Sequence, residues 1–472
     1  MVPVTDSRYR AQRMATVRPR RTWVRRGLLI LAAVLATSVG SVVLGPVLMT
    51  PRIADPISAA PPSVAAVRPS LGPDPVIPDD IYTGLGPDPT PAWPVVSSMA
   101  IRAPEPAGLT ATPALRRALQ ARLDQLRERY GVPGISVTIL FPDGSSWLGV
   151  SGLADVAAAT PVTPSTSFAI ASVSKTFTAA LVLALAQDGT IELDEPVRTY
   201  LPELTKVNAR ITVRQLLDHT SGLRDYFFHA SIDRALLKER SRRWDSADSM
   251  RYVGKAYFKP GLGWHYSNTN YLVLGMLAER VGEAPLGDQI RARFLEPLGL
   301  RHTWYQPTES PTSAVAHGYR FESTDKDARA IDLSDGSTLM PFTSVVTAAG
   351  GAGGLAANAS DLARWARALY AGGVLSPESV DAILGDISRT EPYKPRVPYG
   401  LGVQRVEIDG APSLGHSGRL LGFRSAVRWL PDQDIAIAVL TNQSRTDPGI
   451  FVRALLRVAR AGGACVNCSS QR

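Results

Sequence analysis

The chain has 472 residues, with 51 Lys plus Arg against 42 Asp plus Glu and a formal net charge of +9. Eight arginines and one aspartate fall within residues 1–26, and no basic patch with interleaved aromatics follows, so the charge balance excludes nucleic-acid binding. The only two cysteines, Cys465 and Cys468, lie in the C-terminal tail, which removes thiol nucleophiles from the rest of the chain and is too few ligands to close a zinc site. The expectation for that pair is a small disulfide outside the cytoplasm.

In chain order, the basic segment 1–26 precedes an uncharged, mostly apolar run, Gly27 to Met49. At 1.5 Å per residue such a run spans roughly 34 Å, enough to cross a bilayer, and arginines before it favour a cytoplasmic N-terminus. The expectation is a single-pass signal anchor with everything after it outside the cell. Arg20-Arg21-Thr22-Trp23-Val24-Arg25 also looks like a twin-arginine export signal, although the long apolar run suits Sec-type insertion equally well. Residues 50–107 form a linker in which Leu-Gly-Pro-Asp-Pro occurs twice, at Leu71 and Leu85. Proline-rich sequence of this kind cannot bury a core, and in polyproline form it would reach at most on the order of 170 Å.

A globular domain is expected over 108–461, followed by the tail 462–472. Thr112 and Pro113 read as the cap and first residue of a helix carrying Leu115, Leu119, Leu123 and Leu126 on one stripe, with Gly131 ending it. Ile135 to Leu140 and Ser146 to Val150 flank the turn Pro142-Asp143-Gly144 as a hairpin. Strand-like segments return only at Gly400 to Ile408, Ser413 to His416, Phe423 to Leu430 and Ile435 to Leu440, and Asp447 to Ala461 reads as a closing helix. The simplest assembly is an α+β fold. Both chain ends join one antiparallel sheet flanked by helices, and a mostly helical subdomain is inserted between them.

Between those ends stands Ser172-Val173-Ser174-Lys175, at what reads as the start of a buried helix. Residues i and i+3 share a helix face, so the hydroxyl and the amine would point together into a cleft. Lys175 is the first lysine in a chain whose arginines outnumber its lysines about six to one. Arginine cannot accept a proton, whereas a desolvated lysine can, and a serine needs such a base to become a nucleophile. Two later motifs extend the pattern: Tyr266-Ser267-Asn268 after a Pro260-Gly261 turn, and Gly415-His416-Ser417-Gly418 between two strand-like segments.

Ser-x-x-Lys, then Tyr-x-Asn, then Lys/His-Ser/Thr-Gly is the order of the serine penicillin-recognising enzymes, and the chain resembles the class C β-lactamase and D-alanyl-D-alanine carboxypeptidase family. Flanking segments similar to the family include Leu216 to Leu223, Glu296 to Leu300, Gly353-Gly354-Leu355, Tyr399 to Gly402 and Leu440-Thr441-Asn442. The resemblance implies Ser172 as the acylated nucleophile, Lys175 and Tyr266 as proton carriers, and Asn268 as a ligand of both Lys175 and the substrate amide. It implies an oxyanion hole from the backbone N–H groups of Ser172 and Arg419, with Gly418 beside it. His416 stands where most of the family's β-lactamases carry lysine, which points to the peptidase branch and would supply a cation only when protonated. Ser417 and either Arg419 or Arg424 are candidates for a substrate carboxylate. His219 is expected to be a structural hydrogen-bonding residue. The implied activity needs no cofactor or metal, and β-lactams are expected inhibitors. The substrates expected are peptidoglycan stem peptides or small acyl compounds; an esterase, a β-lactamase and a tethered penicillin-binding protein without turnover remain alternatives. No Gly-x-Ser-x-Gly elbow is present, which disfavours an α/β-hydrolase.

Overall fold

The computed structural model describes residues 109–322, 328–385, 388 and 397–462. The basic segment, the expected membrane span 27–49, the proline-rich linker and the cysteine tail lie outside the described residues. Among the described residues no helix is long and apolar enough to cross a membrane.

Local sequence builds the first elements as expected. Helix α1 (Pro113–Tyr130) starts where Thr112 Oγ1 accepts from Leu115 N at 3.1 Å, and it stops at Gly131, whose φ of +59° suits a residue without Cβ. Its leucine stripe is buried against Phe451, Val452, Leu455 and Leu456 of the closing helix (Gly449–Arg460). Strands β1 (Gly134–Leu140) and β2 (Ser146–Asp155) form the hairpin, and the short β3 (Thr160–Pro161) extends it. After the helical insertion come β4 (Gln404–Ile408), β5 (Ala411–Leu420), β6 (Phe423–Leu430) and β7 (Ile435–Thr441). The resulting seven-stranded sheet has the order β3-β2-β1-β7-β6-β5-β4. The chain ends meet at β1 and β7, antiparallel from Ile135 opposite Thr441 to Leu140 opposite Ala436. Asn442 locks the junction, its Oδ1 accepting from Gly134 N at 2.6 Å and its Nδ2 donating to Leu153 O at 3.0 Å.

Two expectations need correcting. Gly415-His416-Ser417-Gly418 does not separate two strands but lies inside β5, which runs on to Leu420. Small residues weaken the sequence signal there, yet the ladder to β6 holds the segment from Leu414 opposite Trp429 to Leu420 opposite Phe423. Conversely, Gly400 to Val403 is no strand; Gly402 turns at φ +80° where an added Cβ would lie 2.4 Å from Ala179 Cβ.

The sheet is buried on both faces. Helix α1 and the closing helix cover one face. The other packs on the helix Ala359–Tyr370, through which it meets the insertion. There helix α2 (Ser174–Gln187) is buried on all sides from Ser174 to Leu185, as expected of a helix apolar around its whole circumference. Trp365 clamps it, stacking on Phe177 at 4.0 Å and donating through Nε1 to Thr176 Oγ1 at 2.8 Å. Helix α3 (Asn268–Gly282) packs beside α2. This packing fixes where the ends of α2 and α3 point, and both starts point into one cleft.

Candidate active site

Ser172 sits in a single 3₁₀ turn, Ala171–Val173, which runs directly into α2. Ala171 is held at φ +50°, a left-handed conformation that costs a non-glycine residue energy and is typical of backbone constrained for function. The turn abuts β5 at Gly418, where a Cβ would fall 2.3 Å from Ile170 O and 2.2 Å from Ser425 Oγ. Only glycine lets the strand come this close to the nucleophile. The backbone ladder between β4 and β5 ends at Gly415, so the stretch His416 to Leu420 has no β4 backbone partner on that edge.

Lys175 is fully buried, and its amine has three partners: Asn268 Oδ1 at 2.7 Å, Ala352 O at 2.7 Å and Ser172 Oγ at 3.1 Å. Burial lowers its pKa to about 7, against the raising influence of Asp225. A large fraction is therefore neutral near neutral pH. A neutral amine has two N–H bonds and one lone pair. Ala352 O and Asn268 Oδ1 can only accept, so the two N–H bonds go to them, and the lone pair is left facing the Ser172 hydroxyl. The arrangement can take the proton of Ser172 as its oxygen attacks a carbonyl.

Tyr266 stands over this pair, its ring centroid 5.0 Å from Lys175 Nζ. Its hydroxyl is covered and makes no hydrogen bond of satisfactory geometry, although Ser172 lies near enough to lower its pKa against the dominant effect of burial, which raises it. The phenol therefore stays protonated, and of the two proton carriers Lys175 is the one that can act as a base near neutral pH. Asn268 opens α3 and also reaches backward: its backbone N and its Nδ2 both donate to Asp225 Oδ2, at 3.0 and 2.8 Å.

His416 is buried and neutral. Burial and repulsion from Lys175 lower its pKa to about 3. Its Nδ1 lies 2.6 Å from Ser417 O, which can only accept, so Nδ1 carries the proton and Nε2 accepts from Tyr399 Oη at 3.0 Å. With both ring nitrogens engaged, it approaches Tyr266 only ring to ring, at 6.3 Å. The cation that His416 would supply on protonation is thus not available near neutral pH. Ser417 is held from behind: Arg428 Nη2 donates to its Oγ at 2.9 Å, and Gln404 Oε1 accepts from its N at 3.0 Å. Of the two arginine candidates, Arg419 lines the cleft together with Ala171, Ser172, Tyr266, Asn268 and Leu420. Arg424 does not; it is buried, and its Nε donates to Ser444 O at 2.8 Å. His219, at φ +66°, accepts through Nδ1 from Ser267 N at 3.2 Å and Asn270 Nδ2 at 3.0 Å, and its ring lies 4.3 Å from that of Tyr266.

The structure thus brings Ser172, Lys175, Tyr266, Asn268, Gly418 and Arg419 to one cleft and leaves His416 and Ser417 bonded to groups behind it. Sequence reasoning missed Asp225, Tyr399, Gln404 and Arg428. Tyr399 lies in a flanking segment similar to the family, where nothing local assigns it a role, and the other three give no local signal. Away from the cleft, Asp155, His317 and Asp332 could offer three ligand atoms to a cation, with His317 Nδ1 2.7 Å from Asp332 Oδ2.

A family model described as Beta-lactamase matches residues 119–461. Penicillin-binding protein 4* of Bacillus subtilis is 27% identical over 354 residues, covering 73% of this chain and 75% of that protein. A D-aminopeptidase of Cereibacter sphaeroides is 27% identical over 331 residues, 70% of this chain and 60% of the relative. Among solved structures, the D-amino acid amidase from Ochrobactrum anthropi SV3 in complex with L-phenylalanine superposes with a TM-score of 0.64 at 26% identity, over 74% of this chain and 98% of that one. With the match spanning the sheet, the insertion and all three motifs, this chain belongs to the beta-lactamase family and is a serine hydrolase.

Proposed function

We propose that the protein is an exported, membrane-anchored D-alanyl-D-alanine carboxypeptidase or related D-amino-acid peptidase acting on cell-wall peptides through a Ser172 acyl-enzyme. The observation that carries the acyl-enzyme reading is the buried Lys175 amine, with a pKa of about 7, whose free lone pair faces Ser172 Oγ at 3.1 Å. Ser172 Oγ attacks the substrate carbonyl and its proton passes to Lys175; Tyr266, as a neutral phenol, relays a proton towards the leaving amine. Water then repeats the sequence in reverse. Asn268 holds the substrate amide, and the N–H groups of Ser172 and Arg419 receive the oxyanion.

Peptide rather than β-lactam chemistry is favoured by the neutral His416 in place of a permanent cation, and by relatives that act on D-amino-acid compounds. Arg419, at the cleft, is the candidate for a substrate carboxylate. The cell-surface placement rests on eight arginines before the uncharged run Gly27 to Met49 and on the proline-rich tether after it.

One panel tests the chemistry: the purified protein offered a D-Ala-D-Ala peptide, a D-amino acid amide, a short-chain nitrophenyl ester and a chromogenic cephalosporin. The peptide should give the highest kcat/KM. Faster turnover of the ester or the cephalosporin would replace the peptidase reading with an esterase or a β-lactamase, and a stable adduct without turnover of any substrate would leave only a penicillin-binding role. Protease added to intact spheroplasts should digest the domain; protection until the membrane is opened would reverse the orientation.

A further inference from the structure

Asp225 is a fully buried carboxylate to which none of the three motifs assigns a part. Asn268 N and Nδ2 donate to its Oδ2, and Phe227 N donates to its Oδ1 at 3.0 Å. Burial raises its pKa, while those amides and the charge of Lys175 lower it. A protonated carboxyl would turn its O–H against donors, so the ionised form is the one these contacts accept. It also stands at the N-terminus of α3, where the exposed amides favour a negative charge.

We propose that Asp225 is a positioning residue that, through Asn268, aims the lone pair of Lys175 at Ser172. The two ends of an asparagine amide are nearly the same shape but opposite in hydrogen-bonding sense. Because Asp225 can only accept, it takes Nδ2 and leaves Oδ1 facing Lys175 Nζ at 2.7 Å. Rotated by half a turn, Asn268 would present an N–H to Lys175 and compete with Ser172 for the lone pair. Asp225 is in addition the counter-charge of the site. The ionisable groups around Lys175 are Asp225, Tyr266, Tyr271, His219 and His416. Burial keeps both tyrosines protonated and both histidines neutral at neutral pH, so among the described residues Asp225 is the neighbour whose charge opposes the desolvation of the ammonium.

The inference rests on Lys175 acting as the proton acceptor, and the experiment separates the two. Hydrolysis of a nitrophenyl ester, which needs no particular peptide, is followed against pH in the full-length protein, in Asp225→Asn and in Asp225→Glu, with Ser172→Ala as the control for the acyl-enzyme. Asp225→Asn removes the charge and keeps an acceptor for Asn268, so the acidic limb of kcat/KM should move to lower pH by about one unit. Its plateau kcat should fall roughly tenfold to a hundredfold, as orientation is loosened, with KM changed by less than about threefold. Asp225→Glu keeps the charge on a longer arm; its limb should stay at the wild-type pH while kcat falls. A folded Asp225→Asn whose limb coincides with the wild type overturns the proposal. If Asp225→Asn does not fold, the glutamate variant decides: a limb displaced to lower pH despite the retained charge overturns it equally. A Ser172→Ala protein that still hydrolyses the ester would instead count against the acyl-enzyme reading.

Discussion

On one side of the cleft the buried Lys175 amine titrates near 7, with the buried Asp225 carboxylate behind it; on the strand-borne side His416 is just as deeply buried and stays neutral. The difference lies in the partners. Asn268 links Lys175 to an anion two hydrogen bonds away, and the amides of α3 and the Asp225 turn hold that anion. For His416 the hydrogen bond to the Ser417 carbonyl favours the cation, but desolvation and the repulsion of Lys175 outweigh it, and no opposite charge stands beside the ring. A buried charge persists where hydrogen bonds and an opposite charge offset desolvation, and neutralises where they do not. The helix side therefore holds the titrating group of the cleft, and the strand side holds shape.

The strongest way to break this contrast is to remove the reacting atom. Ser172→Ala should lower kcat by a factor on the order of 10⁶, and mass spectrometry should find no adduct from a labelled penicillin or fluorophosphonate. An adduct that persists would move the nucleophile elsewhere. Lys175→Arg comes next, because it keeps the charge and removes the base. A loss of about 10³ to 10⁴ that raising the pH does not recover is expected; recovery at high pH would mean another group takes the proton.

Tyr266→Phe should cost about 10² to 10⁴ in kcat if the phenol relays a proton. The midpoint of the acidic limb should stay in place, since a phenol that remains protonated does not titrate there. A smaller effect separates the two sides most cleanly. In the wild type kcat/KM should rise with pH through about 7 as Lys175 loses its proton. The neutral state of His416 means that this rise does not belong to histidine. His416→Gln should keep that midpoint and lose at most about tenfold, whereas His416→Lys places a cation beside Lys175 and should be impaired at every pH. A midpoint that moves in His416→Gln would return the titration to the strand side.

Much of the molecule follows from residues close together in the chain. Helix α1 needs only its cap, its leucine stripe and Gly131, and the pairing of Ser172 with Lys175 is a matter of i and i+3 spacing within one turn. The order of the three motifs and the sheet drawn from both chain ends were legible for the same reason, since hydrophobic periodicity and turn residues are local signals. Tertiary structure decided the rest. Asp225 is one acidic residue among 42 until Asn268, at the start of a helix formed by a distant segment, turns two donors onto it. Gln404 and Arg428 reach Ser417 because β4 and β6 flank β5, a neighbour relation that no local window contains. The protonation states of Lys175 and His416 likewise depend on desolvation, which only the packed fold imposes, and so the sequence could name Lys175 as a proton carrier and His416 as a conditional cation but not say which one titrates near neutrality.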